Sequence, residues 1–248
     1  MKISIKQKIG KGLFQLGWPF VYALKKLSRW TYLFSLRYEF NKDWRYPPNP
    51  EWFDHELDLA FFPTWKKPHF FEKGVYFQEI LKPEMRVLEL CCGDASTAAL
   101  FMAPMAKEIL AVDLDPTAIA AARTKYGKTS NLSLEVMDIC ELPQFPQKFD
   151  LIAWDGAIAP IPTEKLGSVF KGIRSNLAPG GILAGSTLAK RRGEPSHQGY
   201  DFKFEQLGEL ETLLKREFNS VKVWERKHQD RTSFYFRCAE PVGTTPNS

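Results

Sequence analysis

The sequence predicts an α/β protein. Its seven-stranded sheet is doubly wound and mostly parallel, closes with a C-terminal antiparallel hairpin, and follows an N-terminal helical extension. Three observations carry this. From Met85 onward, short runs rich in Val, Ile and Leu alternate with helical patterns, as parallel strands joined by crossovers do. Four consecutive runs carry an acid at or near their ends: Glu89, Asp113, Asp138 and Asp155. The last two runs are separated by four residues, His228 to Arg231, which suits a hairpin and not a helical crossover.

The first forty residues mix basic with large apolar and aromatic side chains. Residues 1–50 hold ten Lys/Arg and two acids, a net +8, although the whole chain is only +5. Basicity confined to one end does not indicate a nucleic-acid-binding main domain. The longest uncharged run, Gly12 to Leu24, is 13 residues and is interrupted by Gly17 and Pro19. A membrane-spanning helix wants roughly 20 apolar residues. Val21-Tyr22-Ala23 resembles a leader cleavage site, but Lys25-Lys26 follow at once, and Gln15, Gly17 and Pro19 interrupt the apolar segment. Beyond Pro19, Phe20, Leu24, Leu27, Thr31 and Phe34 recur at helical spacing, with Lys25 and Arg29 on another face. That pattern suits a helix lying in an anionic membrane surface. It equally suits one packed on its own body or on a partner subunit.

"YPPNPEW", residues 46–52, marks a boundary. The expected units are a basic extension over 1–48, a main domain over 49–240 and a tail over 241–248. Residues 52–81 read as aromatic and helical in pieces, ended by Pro83. Strands follow at "MRVLEL", "EILAVD", "LSLEVMD", "FDLIAWD", "GGILAGST", "VKVWERK" and "TSFYFRCA". The intervening helices are expected over 96–107, 116–126, 163–177 and 205–218. Cys91, Cys92, Cys140 and Cys238 show no metal-ligand spacing and read as reduced, buried thiols.

In an open α/β sheet, ligands sit at the carboxyl ends of the strands, where the chain order reverses. The segment "ELCCGDA", 89–95, lies there, just before a helix whose first N–H groups favour a negative group. A dinucleotide fingerprint needs glycines at 91, 93 and 96; the chain has Cys91, Gly93 and Ser96. Glu89 is placed to meet a cationic or hydrogen-bond-donating group. Asp113, 20 residues past Gly93, stands where nucleotide folds keep a ribose-binding acid. Asp138 and Trp154-Asp155 end the next two strands.

With these residues in place, the chain resembles the class I S-adenosylmethionine-dependent methyltransferases, whose fold is Rossmann-like. "VLELCCGDA" resembles their glycine-rich motif and "AVDLDPTAI" their acidic ribose motif. "VMDICELP" resembles their adenine strand, "FDLIAWD" their fourth strand, and "NLAPGGIL" the lead into the fifth. The resemblance covers residues 70–240. "ELCCGD", "WDGAI" and "YDF" further resemble bacterial type 11 and 12 methyltransferase domains associated with glycans or lipids. It implies S-adenosylmethionine as cofactor, with Glu89 at the methionine amino end and the Cys91–Gly93 backbone beneath. It further implies Asp113 on the ribose hydroxyls, Leu114 on the adenine, Asp138 and Ile139 bordering the base, and Trp154 near the sulfonium. The chain departs from the family at Cys91 and Ala95, where glycine is preferred. Ala159-Pro160 stands where many relatives carry an acidic residue and a histidine.

A hydroxyl acceptor has to lose a proton, and the candidates for taking it are Asp155 and His197. His197 also reads as a surface loop residue. His55 and His69 rank lower, and His228 reads as structural or exposed. The expectation is methyl transfer to a small-molecule, sugar or lipid-linked hydroxyl, in the cytoplasm or at the inner face of the membrane. Methylation of a soluble metabolite, a silent cofactor-binding module that tethers an assembly to a membrane, and a distant nicotinamide dehydrogenase are the alternatives.

Overall fold

The computed structural model describes residues 5–41, 68–159, 161–190, 204–228 and 232–243. The chain divides into two compact units, 1–51 and 52–248. In the first, helix α1 runs unbroken over Ile5–Asn41, 37 residues with Pro19 inside. That is longer than the helix expected beyond Pro19. A proline inside a helix removes one donor and crowds the carbonyl four residues earlier. Here that is Gln15, which is exposed, so water is available to its carbonyl. Among the described residues no helix is long and apolar enough to cross a membrane.

In the second unit, α2 (Pro68–Gln78) precedes strand β1 (Arg86–Leu90). Then come β2 (Glu108–Asp113), α3 (Pro116–Tyr126), β3 (Leu132–Val136) and β4 (Phe149–Asp155). Helix α4 (Leu166–Asn176), β5 (Leu177–Leu188), α5 (Leu207–Lys215), β6 (Phe218–Lys227) and β7 (Thr232–Pro241) complete it. The sheet order is β3-β2-β1-β4-β5-β7-β6. The first five strands are parallel, and β7 inserts antiparallel to both β5 and β6. This is the mostly parallel sheet with a closing hairpin that the sequence predicts. The chain order reverses between β1 and β4, so the crevice opens at their carboxyl ends.

The helix expected over 96–107 is cut to a π-helical turn, Ala98–Met102. Pro104, two residues after that turn, has no N–H to continue a helix and disfavours helical backbone in the residue before it. The final helix also ends early, because Phe218 already starts β6.

Strand alternation divides the core. On one face Leu88, Leu90, Ile152 and Trp154 meet Val169, Phe170 and Ile173 of α4 and Leu210 and Leu214 of α5. On the other, Val87, Ile109, Ala111, Leu151 and Ala153 meet Tyr76, Phe77 and Ile80 of α2, together with α3 and the π-helical turn. Tyr76 anchors α2: its hydroxyl donates to the Phe236 carbonyl at 2.6 Å, and its ring meets Tyr235 and Trp224 edge-on.

At Gly185, β5 leaves no room for a side chain against β4. A Cβ there would lie 1.9 Å from the Trp154 carbonyl oxygen and 2.8 Å from the Phe236 ring. The obstruction is backbone and cannot swing aside. Gly185→Ala is therefore expected to destabilise the domain by about 3 kcal/mol or more, seen as a lower urea midpoint at unchanged m-value.

Candidate active site

The site is built from the turn after β1. Cys91, Gly93 and Ala95 all take left-handed backbone, with φ of 56°, 56° and 55°. Such a conformation costs a non-glycine residue roughly 1–2 kcal/mol. Cysteine and alanine are thus tolerated at two positions that favour glycine. Two carboxylates hold the turn. Asp113 accepts from the Gly93 N–H at 2.8 Å and from the Asp115 N–H at 2.9 Å. Asp94, buried at 1% exposure, accepts from the N–H and hydroxyl of Ser96 and from Lys125 of α3 at 3.1 Å. The aspartate that ends "CCGD" is therefore the brace of the following turn. Cys91 and Cys92 are half-buried, not buried as the sequence suggests, and desolvation raises both thiols above their ordinary range.

Glu89 faces α2, between Ala111 of β2 and Ala153 of β4. It is 3% exposed, and its Oε2 has no hydrogen-bond partner among the described residues. Burial pushes its carboxyl well above the usual carboxylate range; Asp155, Asp94 and Asp113 push the same way, and Lys73 opposes them. A buried acceptor left unpaired costs about 1–3 kcal/mol. A cation or N–H donor arriving from the crevice recovers that cost.

Beyond Asp113, the Leu114 side chain is 65% exposed, an apolar surface beside the acid. Asp138 accepts from the Cys140 N–H at 2.8 Å and caps the short 3-10 turn Ile139–Glu141, in which Ile139 is buried. Trp154 and Asp155 point to opposite faces, as neighbours in a strand must. The Trp154 ring is wholly buried against Phe170, 5.8 Å between centroids. It belongs to the core beneath the sheet, away from the face that carries Glu89.

Asp155 stands on the Glu89 face. Its Oδ1 accepts from the Ser186 hydroxyl at 2.5 Å, and its Oδ2 pairs with Lys73 of α2 at 2.5 Å. Tyr235 of β7 is in register with Ser186, and its buried hydroxyl has no partner among the described residues. Next to Lys73, Glu72 holds Arg226 and His228, each at 2.9 Å. His228 is thus part of the packing of α2. Lys73, Ser186 and Tyr235 escaped the sequence reading because they come from segments with no motif. His197 and His55 lie outside the described residues, and His69 falls in the first turn of α2. Ala159, the first residue of the pair that replaces the acidic-histidine motif, is buried.

Residues 87–181 match a family model described as "Methyltransferase domain". An uncharacterised methyltransferase of Synechocystis is 28% identical over 104 residues, 42% of this chain and 47% of that protein. The ribosomal protein L11 methyltransferase of Paraburkholderia phytofirmans is 26% identical over 159 residues, 63% of this chain and 50% of that protein. This chain spans about half the length of the curated relatives it matches. Among solved structures, the N-methyltransferase NodS of Bradyrhizobium japonicum, in complex with S-adenosyl-L-homocysteine, aligns with a TM-score of 0.58 at 18% identity. The alignment covers 75% of this chain and 92% of that one. A DhpI complex with the same compound aligns at 0.58 and 17% identity, over 76% and 91% of the two chains. Residues 87–181 are thus similar to a methyltransferase domain, and the fold is the Rossmann-like one shared with the N-methyltransferase NodS.

The residues at the crevice fit S-adenosylmethionine. Glu89 offers an unpaired buried oxygen for an ammonium, the turn at 91–95 is small, and each Asp113 oxygen keeps a second lone pair. Glu89→Gln makes the expected conflict measurable. With its raised carboxyl, Glu89 costs stability as pH climbs above the ordinary carboxylate range toward its folded value. The cofactor-free variant is therefore expected to melt a few degrees higher than the wild type at pH 7.5 by scanning calorimetry. It should also bind S-adenosylhomocysteine at least about tenfold more weakly, the charge-assisted bond being worth about 1.5–3 kcal/mol.

Proposed function

We propose that this protein transfers the methyl group of S-adenosylmethionine to a hydroxyl of an amphipathic acceptor, sugar- or lipid-linked, presented at an anionic membrane surface. The observation that carries the first half is the buried, unpaired Glu89 oxygen at the switch point of a class I methyltransferase fold. In this reading Glu89 holds the ammonium of the methionyl end, and Asp113 holds the ribose hydroxyls. Leu114 and Ile139 take the faces of the base, Asp138 borders its edge, and the Cys91–Ala95 backbone runs beneath. When bound, the cofactor supplies a methyl group on a positively charged sulfur.

The chain's own contribution is orientation, which alone supplies roughly 7–11 kcal/mol to such a reaction. Lys73 and Ser186 already engage both oxygens of Asp155 and fix its carboxylate at the end of β4. So fixed, Asp155 accepts a further hydrogen bond from the incoming hydroxyl and aims it. His197, in the segment 191–203, is the candidate to carry the proton away.

Helix α1 supports the membrane half. Leu13, Leu16, Phe20, Leu24, Leu27 and Phe34 form one apolar stripe, and each is at least 49% exposed. On the opposite face Lys25 sits 5.4 Å over Trp18 and Lys26 4.9 Å over Tyr22, pairing each charge with a ring suited to the headgroup layer.

Two measurements test the reading. By calorimetry, S-adenosylmethionine and S-adenosylhomocysteine should bind and NAD should not, and Asp113→Ala should weaken both by about 10- to 150-fold. Binding of NAD alone would remove the methyltransferase reading; cofactor binding with no turnover on any cell-extract component would favour the silent module. For the membrane half, the whole chain should co-sediment with phosphatidylglycerol vesicles, weakly with phosphatidylcholine, and less at high salt. Each Lys or Arg near such a surface contributes about 1 kcal/mol within a Debye length. A chain starting at Asn49 that still binds the vesicles equally well would show that α1 is not the membrane contact.

A further inference from the structure

Helix α2 leaves part of the Glu89 face of the sheet uncovered. One row crosses that face in register: Glu89 of β1, Ala153 of β4, Ala184 of β5, Arg237 of β7 and Lys222 of β6. Tyr76 of α2 packs on Tyr235 and Trp224, and beyond them Arg237 and Lys222 are exposed. These two cations stand directly opposite each other on antiparallel strands, where like charges destabilise a sheet. Neither has a hydrogen bond or an ion pair among the described residues. On the other face of β6 the charges are matched, Lys227 with Glu225 at 2.8 Å. Lys222 Nζ lies 5.7 Å over the ring of half-buried Trp224. Arg226, exposed and paired with Glu72 at 2.9 Å, follows on the same face, so Lys222, Trp224 and Arg226 form one stripe. Because β7 is antiparallel to both its neighbours, β6 runs parallel to β5. The stripe therefore climbs toward the end of the sheet where the crevice opens.

We propose that the Lys222–Trp224–Arg226 stripe of β6, with Arg237 of β7, is a second membrane contact: through it the unit that carries the crevice rests on an anionic lipid surface. Lipid phosphates supply the negative charge that the Lys222–Arg237 pair lacks, and a tryptophan beside a lysine suits the headgroup layer. A nucleic acid is held through many phosphate contacts, and two unmatched cations supply few. The inference rests on the membrane half of the reading above and deepens it. Helix α1 supplies the anchor there, and the stripe sets which end of the sheet a lipid-borne acceptor meets.

The test is sedimentation of the full chain with phosphatidylglycerol and phosphatidylcholine vesicles, alongside its melting temperature without lipid. Lys222→Glu sets an opposite charge across from Arg237, so it should melt no lower than wild type and up to a few degrees higher. The same variant should bind phosphatidylglycerol vesicles about ten- to thirtyfold more weakly, since one cation is lost and one anion gained. The deficit should shrink at high salt and vanish on pure phosphatidylcholine. Lys171→Glu makes the same change of net charge at an exposed position on α4, which packs on the opposite face of the sheet, and should bind like wild type. Undiminished binding by Lys222→Glu, or an equal loss in Lys171→Glu, overturns the stripe and leaves α1 as the membrane contact. A melting temperature of Lys222→Glu well below wild type would show that Lys222 serves the fold, and overturns it too. Wild type that binds transfer RNA more tightly than the vesicles, through the same lysine, overturns the lipid as occupant. No sedimentation of wild type with phosphatidylglycerol overturns the membrane reading and the stripe with it.

Discussion

Glu89 is the constraint around which the domain is arranged. A carboxylate at 3% exposure with an unpaired oxygen is a liability in a folded protein. It survives because the surroundings are built to limit the damage. Asp94 and Asp113 could each have added an unmatched charge. Each is instead tied to donors that belong to the same turn or to the next helix. Asp155 is tied from outside the sheet by Lys73 and from β5 by Ser186. Among the described residues, the carboxylate oxygen left buried without a partner is Glu89 Oε2, at the switch point. A ligand gains most there from supplying a positive donor, because the desolvation has already been incurred in folding.

The turn after β1 shows the same economy in backbone terms. Three left-handed residues within five are costly where two carry a side chain. Asp113 reaches across from β2 to lock the middle one, and full burial of Ala95 leaves its methyl group no room to relax. Local strain and long-range hydrogen bonding thus fix the same five residues, Cys91 to Ala95.

Much of this was legible in the sequence. Period-two and helical patterns place all seven strands, and the acids at strand ends locate the crevice. What was not legible depends on contacts between distant segments. Lys73 sits in an aromatic stretch with no motif, and only the docking of α2 through Tyr76 brings it to Asp155. The side that Trp154 faces is hidden because β4 is buried on both faces, so hydropathy carries no alternation there. The positive φ of Cys91 and Ala95 is invisible because neither residue announces such a backbone. Pro104 was readable in principle: its place two residues after the π-helical turn forbids the long helix that the apolar spacing suggested.

Helix α1 poses the same problem of unmatched surface, with apolar groups in place of charge. Six large residues on one stripe are each worth about 1.5–3 kcal/mol when fully covered, less the cost of association. A second copy of the helix could cover the stripe, but its charges argue against it. Over Ile5–Asn41 the sequence has seven Lys/Arg and a single acid, Glu39. Two such helices side by side would set like charges along both flanks, where paired helices favour opposite ones. An anionic bilayer reverses the sign of that term, because the same flanking charges then attract. In the proposed reading, apolar burial and electrostatics therefore both favour a lipid surface and conflict for self-association.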